Sequence, residues 1–423
     1  MVNKVAILAL CVLLGTASAA NWAVLVAGSN GYYNYRHQAD ICHAYQALIK
    51  GGIPASNIIV FAYDDIANNP QNPIPGKLFN KPNGNDVYAG CAIDYKGADV
   101  TPKNFLNVLA QNSAAMAKIG TGRVLKSTSA DKVFINFSDH GAPGLIAFPS
   151  QYLYATDLTP VLNAMFKNNQ YNELTFYLEA CESGSMFQGY PTNQKLYALT
   201  AANPNQSSWA TYCPPQDNIG NVHIGTCLGD LFSVTWMEDI DAVNTGSETL
   251  NQQFQKVLTA TASQQQACQY GDMTFQTEAL ANFVGNENPS KVNSENDEYA
   301  LGSTVSSRDM KLMYLVNRHS RLLTAQSQFE LQEEIMSRRL YDEVFFELAK
   351  ATGKMTKAQD TDFECYKELI AELESGCGKT SDYGLKYFRN LYDICATPKI
   401  NKTSVKYTIA AACKAFSAFQ TVA

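Results

Sequence analysis

The chain has 423 residues and a formal net charge of −7 at pH 7. This length exceeds what one hydrophobic core usually holds, so we expect two domains, or one large domain with an appended segment. This net negative charge argues against a nucleic-acid-binding protein, which typically carries an excess of basic residues. Residues 20–290 carry 13 basic against 21 acidic side chains, whereas residues 305–423 carry 17 against 15. The two parts can therefore attract each other, and this attraction weakens as carboxylates become protonated.

The N-terminal segment has the pattern of a cleaved signal peptide. Lys4 precedes an apolar run at 5–14, and the small residues at 17–19 fit a cleavage site. No later stretch approaches the ~18 apolar residues that a membrane helix needs. We therefore predict a signal peptide at 1–19 and a mature protein without a membrane span. It should occupy the secretory pathway, either secreted or in an acidic compartment such as a vacuole or lysosome.

Strands and helices alternate along the next part of the chain, which predicts a mostly parallel sheet with helices on both faces. A polar linker at 287–304, which contains Pro289, separates it from helical patterns at 309–351 and 360–421. In chain order, the predicted elements are a strand at 22–27, a polar loop at 28–38, a helix at 40–50, a strand at 57–63, a long surface excursion at 68–99, a helix from 101, a strand at 132–138, a helix at 157–167, and strands at 174–178 and 195–201.

Two of these strands end in reactive side chains. His140 follows the strand at 132–138, and Cys181 follows the strand at 174–178. Neighbouring parallel strands would bring this thiol and this imidazole together, as in a cysteine nucleophile with its base. The imidazole would activate the thiol and later protonate the leaving amine, while backbone N–H groups of Gly141 and Cys181 could stabilise the oxyanion. The alternative is a buried structural cysteine beside an unrelated histidine.

The chain contains 11 cysteines, of which Cys11 would leave with the signal peptide. An oxidising compartment favours disulfides among the rest, although Cys181 must stay reduced to react. The spacing fits no zinc site, so we expect neither a metal nor a cofactor. We predict one disulfide between Cys213 and Cys227, two disulfides among Cys365, Cys377, Cys395 and Cys413, and buried thiols at Cys42, Cys91 and Cys268.

Six motifs occur in an order that resembles the legumain family of asparaginyl endopeptidases, also called vacuolar processing enzymes. The resemblance extends from Trp22 to Cys413. A lone Asp-His-Gly would mean little, but the ordered series is specific. The motifs are VAGSNG at 26–31, YRHQAD at 35–40, DHG at 139–141, EACESGS at 179–185, AANP at 201–204 and WMED at 236–239.

The resemblance implies a caspase-like α/β peptidase domain at 20–286, followed by an all-helical inhibitory prodomain at 305–423. It implies Cys365–Cys395 and Cys377–Cys413 disulfides, and cystatin-type proteins as possible inhibitors. The roles that it assigns are Cys181 as nucleophile, His140 as general base, Asn30 as the side chain near that imidazole, Asp139 as a succinimide-forming residue, and Arg36, His37, Glu179, Ser208 and Asp230 as the asparagine pocket.

The asparagine pocket is chemically reasonable, because an amide side chain needs both a donor and an acceptor. Arg36 can donate, while Glu179 and Asp230 can accept. The alternative for this set is a salt-bridged cluster in the core. We therefore predict an endopeptidase that cleaves proteins and peptides after Asn, and more weakly after Asp once acid protonates that side chain.

We also predict that the enzyme is a zymogen that cleaves itself at low pH. Asn317 is the preferred self-cleavage site, with Asn293 and Asn296 as fallback sites. Alternatives to these predictions are a peptide ligase that uses the same acyl-enzyme, a catalytically inactive binding homologue, and a C-terminal region needed only for folding. A subunit of the related lipid-anchor transamidase is disfavoured, because no C-terminal membrane helix is present.

Overall fold

The computed structural model describes residues 19–286 and 303–420, except 354, 356 and 399, with side chains as far as 415. The predicted signal peptide and most of the predicted linker lie outside these residues, as do Asn293 and Asn296. Within the described residues, none of the helices combines the length and apolar composition needed to cross a membrane.

The described part of the chain forms the following strands and helices. The strands are β1 (Asn21–Ala27), β2 (Ile58–Phe61), β3 (Lys132–Ser138), β4 (Gly141–Ala142), β5 (Leu145–Ala147), β6 (Tyr152–Tyr154), β7 (Glu173–Glu179), β8 (Leu196–Thr200), β9 (Trp209–Thr211), β10 (Asn218–Ile219), β11 (Val222–His223), β12 (Gly229–Asp230), β13 (Cys268–Gly271) and β14 (Val305–Ser306). The helices are α1 (Tyr35–Lys50), α2 (Pro102–Leu109), α3 (Ser113–Met116), α4 (Ala155–Lys167), α5 (Leu231–Ala242), α6 (Leu250–Thr261), α7 (Ala281–Val284), α8 (Met310–Leu322), α9 (Ala325–Thr352), α10 (Phe363–Cys377), α11 (Phe388–Cys395) and α12 (Lys402–Gln420).

The central sheet has six strands in the order β13-β8-β7-β3-β1-β2. All neighbouring pairs are parallel except β13 with β8 at one edge. The register aligns Ala27 with Ser138, and Ser138 with Glu179. Because these three strands end at the same level, the loops that follow β1, β3 and β7 emerge side by side. Such an edge is where ligands bind in open α/β sheets.

Helices cover both faces of the sheet, as the strand and helix alternation predicts. One face packs Val24 and Ile135 against the α2 residue Phe105, and the opposite face packs Leu25 and Phe134 against α1 and α5. Alternate residues of a strand point to opposite faces, so an unbroken apolar run serves both cores. This confirms the predicted mostly parallel sheet flanked by helices.

The four helices α9 to α12 form a separate core at the C-terminal end. Disulfides Cys365–Cys395 and Cys377–Cys413 connect three of these helices. This core also includes Ala142 and Leu145, which belong to a small antiparallel sheet of β4, β5 and β6. A Cβ at Gly144 would lie 2.7 Å from Phe363 of α10, so this turn lies tightly against the helices. The C-terminal helices are therefore docked beside the loop that follows β3.

Two details of the prediction are wrong. Helix α1 begins at Tyr35 rather than Asp40, because a short helical turn at Tyr32–Asn34 leads directly into it. Cys42 and Cys91 form a disulfide with a Cα–Cα distance of 5.5 Å and are not free thiols. This bond ties α1 to the long excursion, whereas Cys268 is a half-buried free thiol. The predicted Cys213–Cys227 disulfide is present.

Candidate active site

The reactive side chains predicted from the sequence lie at the aligned strand ends. His140 lies two residues beyond β3, Cys181 two residues beyond β7, and both are buried. Gly141 lies against the backbone of Cys181. A Cβ at position 141 would be only 2.5 Å from the Cys181 carbonyl oxygen. The close approach therefore requires glycine after the histidine. These contacts place the two loops next to each other.

The hydrogen bonds of Asn34 fix the protonation of His140. Asn34 Nδ2 donates to the Asn30 carbonyl at 3.1 Å, and Asn34 Oδ1 accepts from Arg36 Nη1 at 3.2 Å. The same oxygen lies 3.0 Å from His140 Nε2, which must therefore carry a proton and donate. His140 Nδ1 is buried and has no hydrogen-bond partner among the described residues. In neutral His140, Nδ1 is thus the basic nitrogen.

This geometry corrects the prediction for Asn30. The amide side chain that contacts His140 is that of Asn34, and Asn30 contributes its backbone carbonyl to hold Asn34 in place. Asn34 lies in the short helical turn before α1. One feature of the sequence points to Asn34 as the residue near His140, because Asn34 immediately precedes the Tyr-Arg-His motif.

The Cys181 thiol lies in a buried and polar environment. Ser208 donates its backbone N–H to Sγ at 3.3 Å, and its hydroxyl lies 3.5 Å from the same sulfur. Burial raises the pKa of the Cys181 thiol, while Arg308 and the Ser208 hydrogen bonds act in the opposite direction. Because burial dominates, the thiol keeps its proton in this structure, in which the C-terminal part of the chain covers the site.

The predicted pocket residues cluster beside the thiol. Arg36 Nε donates to Asp230 Oδ1 at 2.8 Å, and Glu179 Oε2 accepts from the Ser233 backbone N–H at 2.9 Å and its hydroxyl at 3.0 Å. Arg36 Nη2 and Glu179 Oε1 are buried without a hydrogen-bond partner in the described part of the chain. Burial and the neighbouring charge of Asp230 raise the pKa of Glu179. Among the predicted pocket residues, Arg36 Nη2 is thus a donor and Glu179 Oε1 an acceptor without an internal hydrogen bond, and Asp230 Oδ2 is a second such acceptor.

His37 lies between the predicted pocket residue Asp230 and His140, and it is next to Asp139. His37 Nδ1 lies 2.6 Å from Ser29 Oγ, and His37 Nε2 lies 3.3 Å from Asp230 Oδ2. Burial, Arg36 and His140 lower the pKa of His37, so it is neutral. Burial raises the pKa of Asp139, although the backbone N–H of His140 partly opposes this.

Side-chain atoms of His37, Asp139 and His140 lie within 4.8 Å of one another, close enough to share a cation. However, one nitrogen of each histidine is already engaged by a neighbouring side chain, His37 Nδ1 by Ser29 and His140 Nε2 by Asn34.

A strand from the C-terminal part of the chain runs through the site. β14 pairs antiparallel with β9, with Val305 opposite Ala210 and Ser306 opposite Trp209. The Ser307 backbone N–H then donates to the Ser208 carbonyl at 3.1 Å. This is the way in which an extended peptide adds to a sheet edge.

Arg308 and Asp382 bring opposite charges to the two reactive loops. Arg308 is 4% exposed, and its Nη2 donates to the Gly141 carbonyl at 2.6 Å and to Glu182 Oε2 at 2.8 Å. Asp382 Oδ2 lies 3.2 Å from His140 Nε2. Burial alone would raise the pKa of Asp382, but His140 and more distant cations hold it at about 2. The sequence alone does not predict a role for either residue, because both lie far along the chain and belong to no motif.

The predicted self-cleavage residue Asn317 lies within α8 and is partly buried, with Nδ2 2.8 Å from Met313 Sδ. The residues of the predicted prodomain that contact the loops carrying Cys181 and Ser208 are instead Ser307 and Arg308.

Comparison with known proteins identifies two regions of the chain. Residues 21–286 match the peptidase C13 family, and residues 331–413 match the legumain prodomain. Vacuolar-processing enzyme from Citrus sinensis is 42% identical over 424 residues, covering 93% of this chain and 85% of that protein. The delta-isozyme from Arabidopsis thaliana is 41% identical over 414 residues, covering 90% and 87%.

Legumain from Canavalia ensiformis is 38% identical over 426 residues, which cover 94% of this chain and 89% of that protein. Among solved structures, caspase-1 from Spodoptera frugiperda aligns with 65% of this chain and 93% of its own, at 10% identity and a TM-score of 0.37. The family matches agree with a buried cysteine and histidine at the ends of adjacent strands, and with a helical C-terminal region. This chain therefore belongs to the peptidase C13 family of cysteine peptidases and carries a legumain prodomain.

Proposed function

We propose that this peptidase hydrolyses peptide bonds after Asn and is made as a zymogen. The observation that carries the proposal is the pair of unused polar atoms in the pocket, Arg36 Nη2 and Glu179 Oε1. An asparagine side chain supplies the matching partners, because its Oδ1 accepts and its Nδ2 donates. A phenylalanine in this pocket would leave both buried groups unpaired, which costs about 1–3 kcal/mol for each group. A lysine has only donors, so it would leave Arg36 Nη2 unpaired and would place a second positive charge beside the guanidinium.

The reaction follows from the hydrogen bonds around His140. Nδ1 takes the proton of the Cys181 thiol, and the resulting thiolate attacks the carbonyl carbon after Asn. Backbone N–H groups of Gly141 and Cys181 are the candidate donors to the oxyanion. The protonated His140 then gives its proton to the leaving amine, and water releases the acyl group from sulfur. Asn34 maintains the tautomer throughout, because its Oδ1 always accepts from Nε2.

Cleavage after Asp should need acid. An ionised Asp would bring a third carboxylate next to Glu179 and Asp230, which a single Arg36 cannot balance. A protonated Asp presents a carbonyl and a hydroxyl, which resemble the two halves of the amide. We therefore propose weaker cleavage after Asp that increases as the pH falls.

The C-terminal region, 305–423, is proposed as an inhibitory and stabilising prodomain joined by a linker at 287–304 to a peptidase domain at 20–286. The segment at 305–308, which includes β14, lies where an extended substrate would pair with β9, and Arg308 and Asp382 occupy polar atoms of the reactive loops. A signal peptide at 1–19 and an acidic vacuolar or lysosomal destination complete the proposal, in line with the vacuolar-processing enzymes to which the chain is similar.

Acid would loosen this docking through Asp382. Its pKa is lower in the docked state than after release, so the stabilisation is complete above its ordinary pKa of 3.8 and is lost as the pH falls toward 2. The half-buried pair Lys367–Asp157, at 3.2 Å, adds ~0.2–1 kcal/mol and weakens in the same direction. Glu182 opposes release, because burial raises its pKa and acid therefore favours the docked state at this position.

The test compares purified protein before and after acid treatment on peptides that differ only in Asn, Asp, Lys or Phe before the scissile bond. We expect turnover of the Asn peptide after acid, none in Cys181→Ser, and a rise in KM for Glu179→Gln. Equal cleavage after Lys, or full activity in Cys181→Ser, would refute the proposal. A product in which a supplied amine replaces water would identify a peptide ligase with the same acyl-enzyme.

A further inference from the structure

A chain of hydrogen bonds connects the molecular surface to the back of the asparagine pocket. It starts at Asp241 on α5, passes through His43 on α1 and Asn80 in the excursion, and reaches Asp40. His43 and Asn80 are 6% and 2% exposed. The reaction proposed above uses neither of these two side chains, so their buried polar contacts need another explanation.

The orientation of the Asn80 amide is determined by its donors. Asn80 Nδ2 donates to Asp40 Oδ1 at 2.7 Å and to the Leu228 carbonyl at 3.1 Å. Both hydrogens are thus engaged, and the acceptor Oδ1 faces His43 Nδ1 at 2.8 Å. Because an acceptor needs a donor, His43 Nδ1 carries a proton.

The other ring nitrogen of His43 faces a carboxylate. His43 Nε2 lies 3.0 Å from Asp241 Oδ2, while Lys50 Nζ donates to Asp241 Oδ1 at 3.1 Å. Although burial acts in the opposite direction, His43 and Lys50 hold the pKa of Asp241 well below its ordinary value. His43 is thus held at both ring nitrogens, by Asn80 on one side and by Asp241 on the other. A ring held at both nitrogens is fixed in place and can transmit a position to its neighbours.

This chain of hydrogen bonds ends at β12, which carries Asp230. The Asp230 backbone N–H lies 3.3 Å and 3.4 Å from the two carboxylate oxygens of Asp40, and Ser138 Oγ donates to Oδ2 at 3.2 Å. A Cβ at Gly229 would lie 2.9 Å from Asn80 Nδ2, so β12 is in direct contact with the Asn80 side chain. Any shift of Asn80 would therefore move Asp230, which binds Arg36 Nε.

We propose that His43 is a positioning residue for the asparagine pocket. Through Asn80 and Asp40 it fixes the backbone of Asp230, and Asp230 in turn sets the place of the Arg36 guanidinium. The proposal rests on the proposed function, because it assumes that Arg36 receives the side chain of the cleaved residue. His43 touches neither substrate nor thiol, so its effect is on binding rather than on chemistry.

The experiment compares acid-activated His43→Gln with His223→Gln. The control His223 also pairs with an aspartate, since its Nδ1 lies 2.7 Å from Asp217 Oδ1, but it is outside this chain of hydrogen bonds. For the Asn peptide we expect KM in His43→Gln to rise about tenfold with kcat changed by less than about threefold. Alkylation of Cys181 by iodoacetamide should proceed at the unmodified rate, and His223→Gln should match the unmodified enzyme in all three measurements.

A second variant keeps the test decisive if His43→Gln does not fold. Asp241→Asn preserves shape, and we expect KM to rise in the same direction by about threefold. Unchanged KM in these variants, or a fall in kcat at constant KM, would overturn the positioning role while leaving an observed Asn preference intact. If the unmodified enzyme shows no preference for Asn, the proposed function fails, and this proposal fails with it.

Discussion

Replacing Asp382 by Asn should open the zymogen at neutral pH. The pKa of Asp382 is about 2 instead of 3.8, and each pKa unit corresponds to about 1.4 kcal/mol. The charged neighbours of Asp382, His140 first among them, outweigh its burial and favour the docked prodomain by about 2.5 kcal/mol, which is roughly a 60-fold factor in the docking equilibrium. Asn keeps the shape but carries no charge. We expect basal turnover of an Asn peptide by uncleaved protein at pH 7 to rise by about the same factor.

The assay is continuous hydrolysis of a fluorogenic Asn peptide, with mass spectrometry to establish that the chain is still intact. Asp360→Asn is the matched control, because this exposed prodomain aspartate has a hydrogen bond to the adjacent Thr361 and lies away from His140. If Asp382→Asn has the basal turnover of the unmodified zymogen, or if Asp360→Asn raises it equally, the contact with His140 does not hold the prodomain closed.

Two further substitutions test individual features of the peptidase domain. Asn34→Ala removes the acceptor that fixes the His140 tautomer, so kcat of the activated enzyme should fall roughly 100-fold. Asn30→Ala retains the backbone carbonyl and should stay within about threefold; equal losses in both variants would contradict the assignment to Asn34. Cys42→Ser combined with Cys91→Ser should lower the free energy of unfolding by about 2–4 kcal/mol in chemical denaturation. Cys268→Ser should leave it nearly unchanged, and a loss as large as that of the double variant would mean that removal of any cysteine has this effect.

The sequence predicted the parts of the site that depend on local pattern. The apolar runs at 132–138 and 174–178 are typical of buried strands in a covered sheet, and parallel pairing then places the residues that follow them at one edge. This reasoning located Cys181 and His140 without knowledge of the sheet order. The residues Arg36 and Glu179 were found through the motif series, since composition and spacing alone do not distinguish a pocket from a salt-bridged core.

The parts that the sequence did not predict depend on side-chain direction and on long-range packing. Asn30 and Asn34 lie in the same segment, and only the hydrogen bond to His140 Nε2 separates them. Arg308 and Asp382 reach the site because the C-terminal helices pack on the β4 to β6 sheet, and no period or motif encodes that docking. The Cys42–Cys91 disulfide likewise needs the path of the excursion, which connects positions 49 residues apart.

The final prediction concerns the order of self-cleavage. Asn317 lies in α8, where its carbonyl accepts from Ser320 Oγ at 2.8 Å and from Arg321 Nε at 3.3 Å. A peptidase binds an extended chain, so this turn of helix must unwind before Asn317 can enter a pocket. Arg308 precedes Asn317 in the chain and follows Asn293 and Asn296. A cut at Asn317 alone therefore separates Asp382 from the peptidase but leaves Arg308 covalently attached to it.

A variant with Asn293→Gln and Asn296→Gln should therefore process at Asn317 into two chains. At neutral pH it should turn over an Asn peptide more slowly than the fully processed enzyme, which is also cut at Asn293 or Asn296. The reason is that residues 303–308 can still pair with β9 and hold Gly141 and Glu182. Its activity should approach that of the fully processed enzyme when Arg308→Ala is added. Asn251→Gln, a substitution on α6 away from the site, serves as the control. If the two-chain form is fully active with Arg308 intact, attachment of this strand does not limit the enzyme, and release of the Asp382 fragment alone accounts for activation.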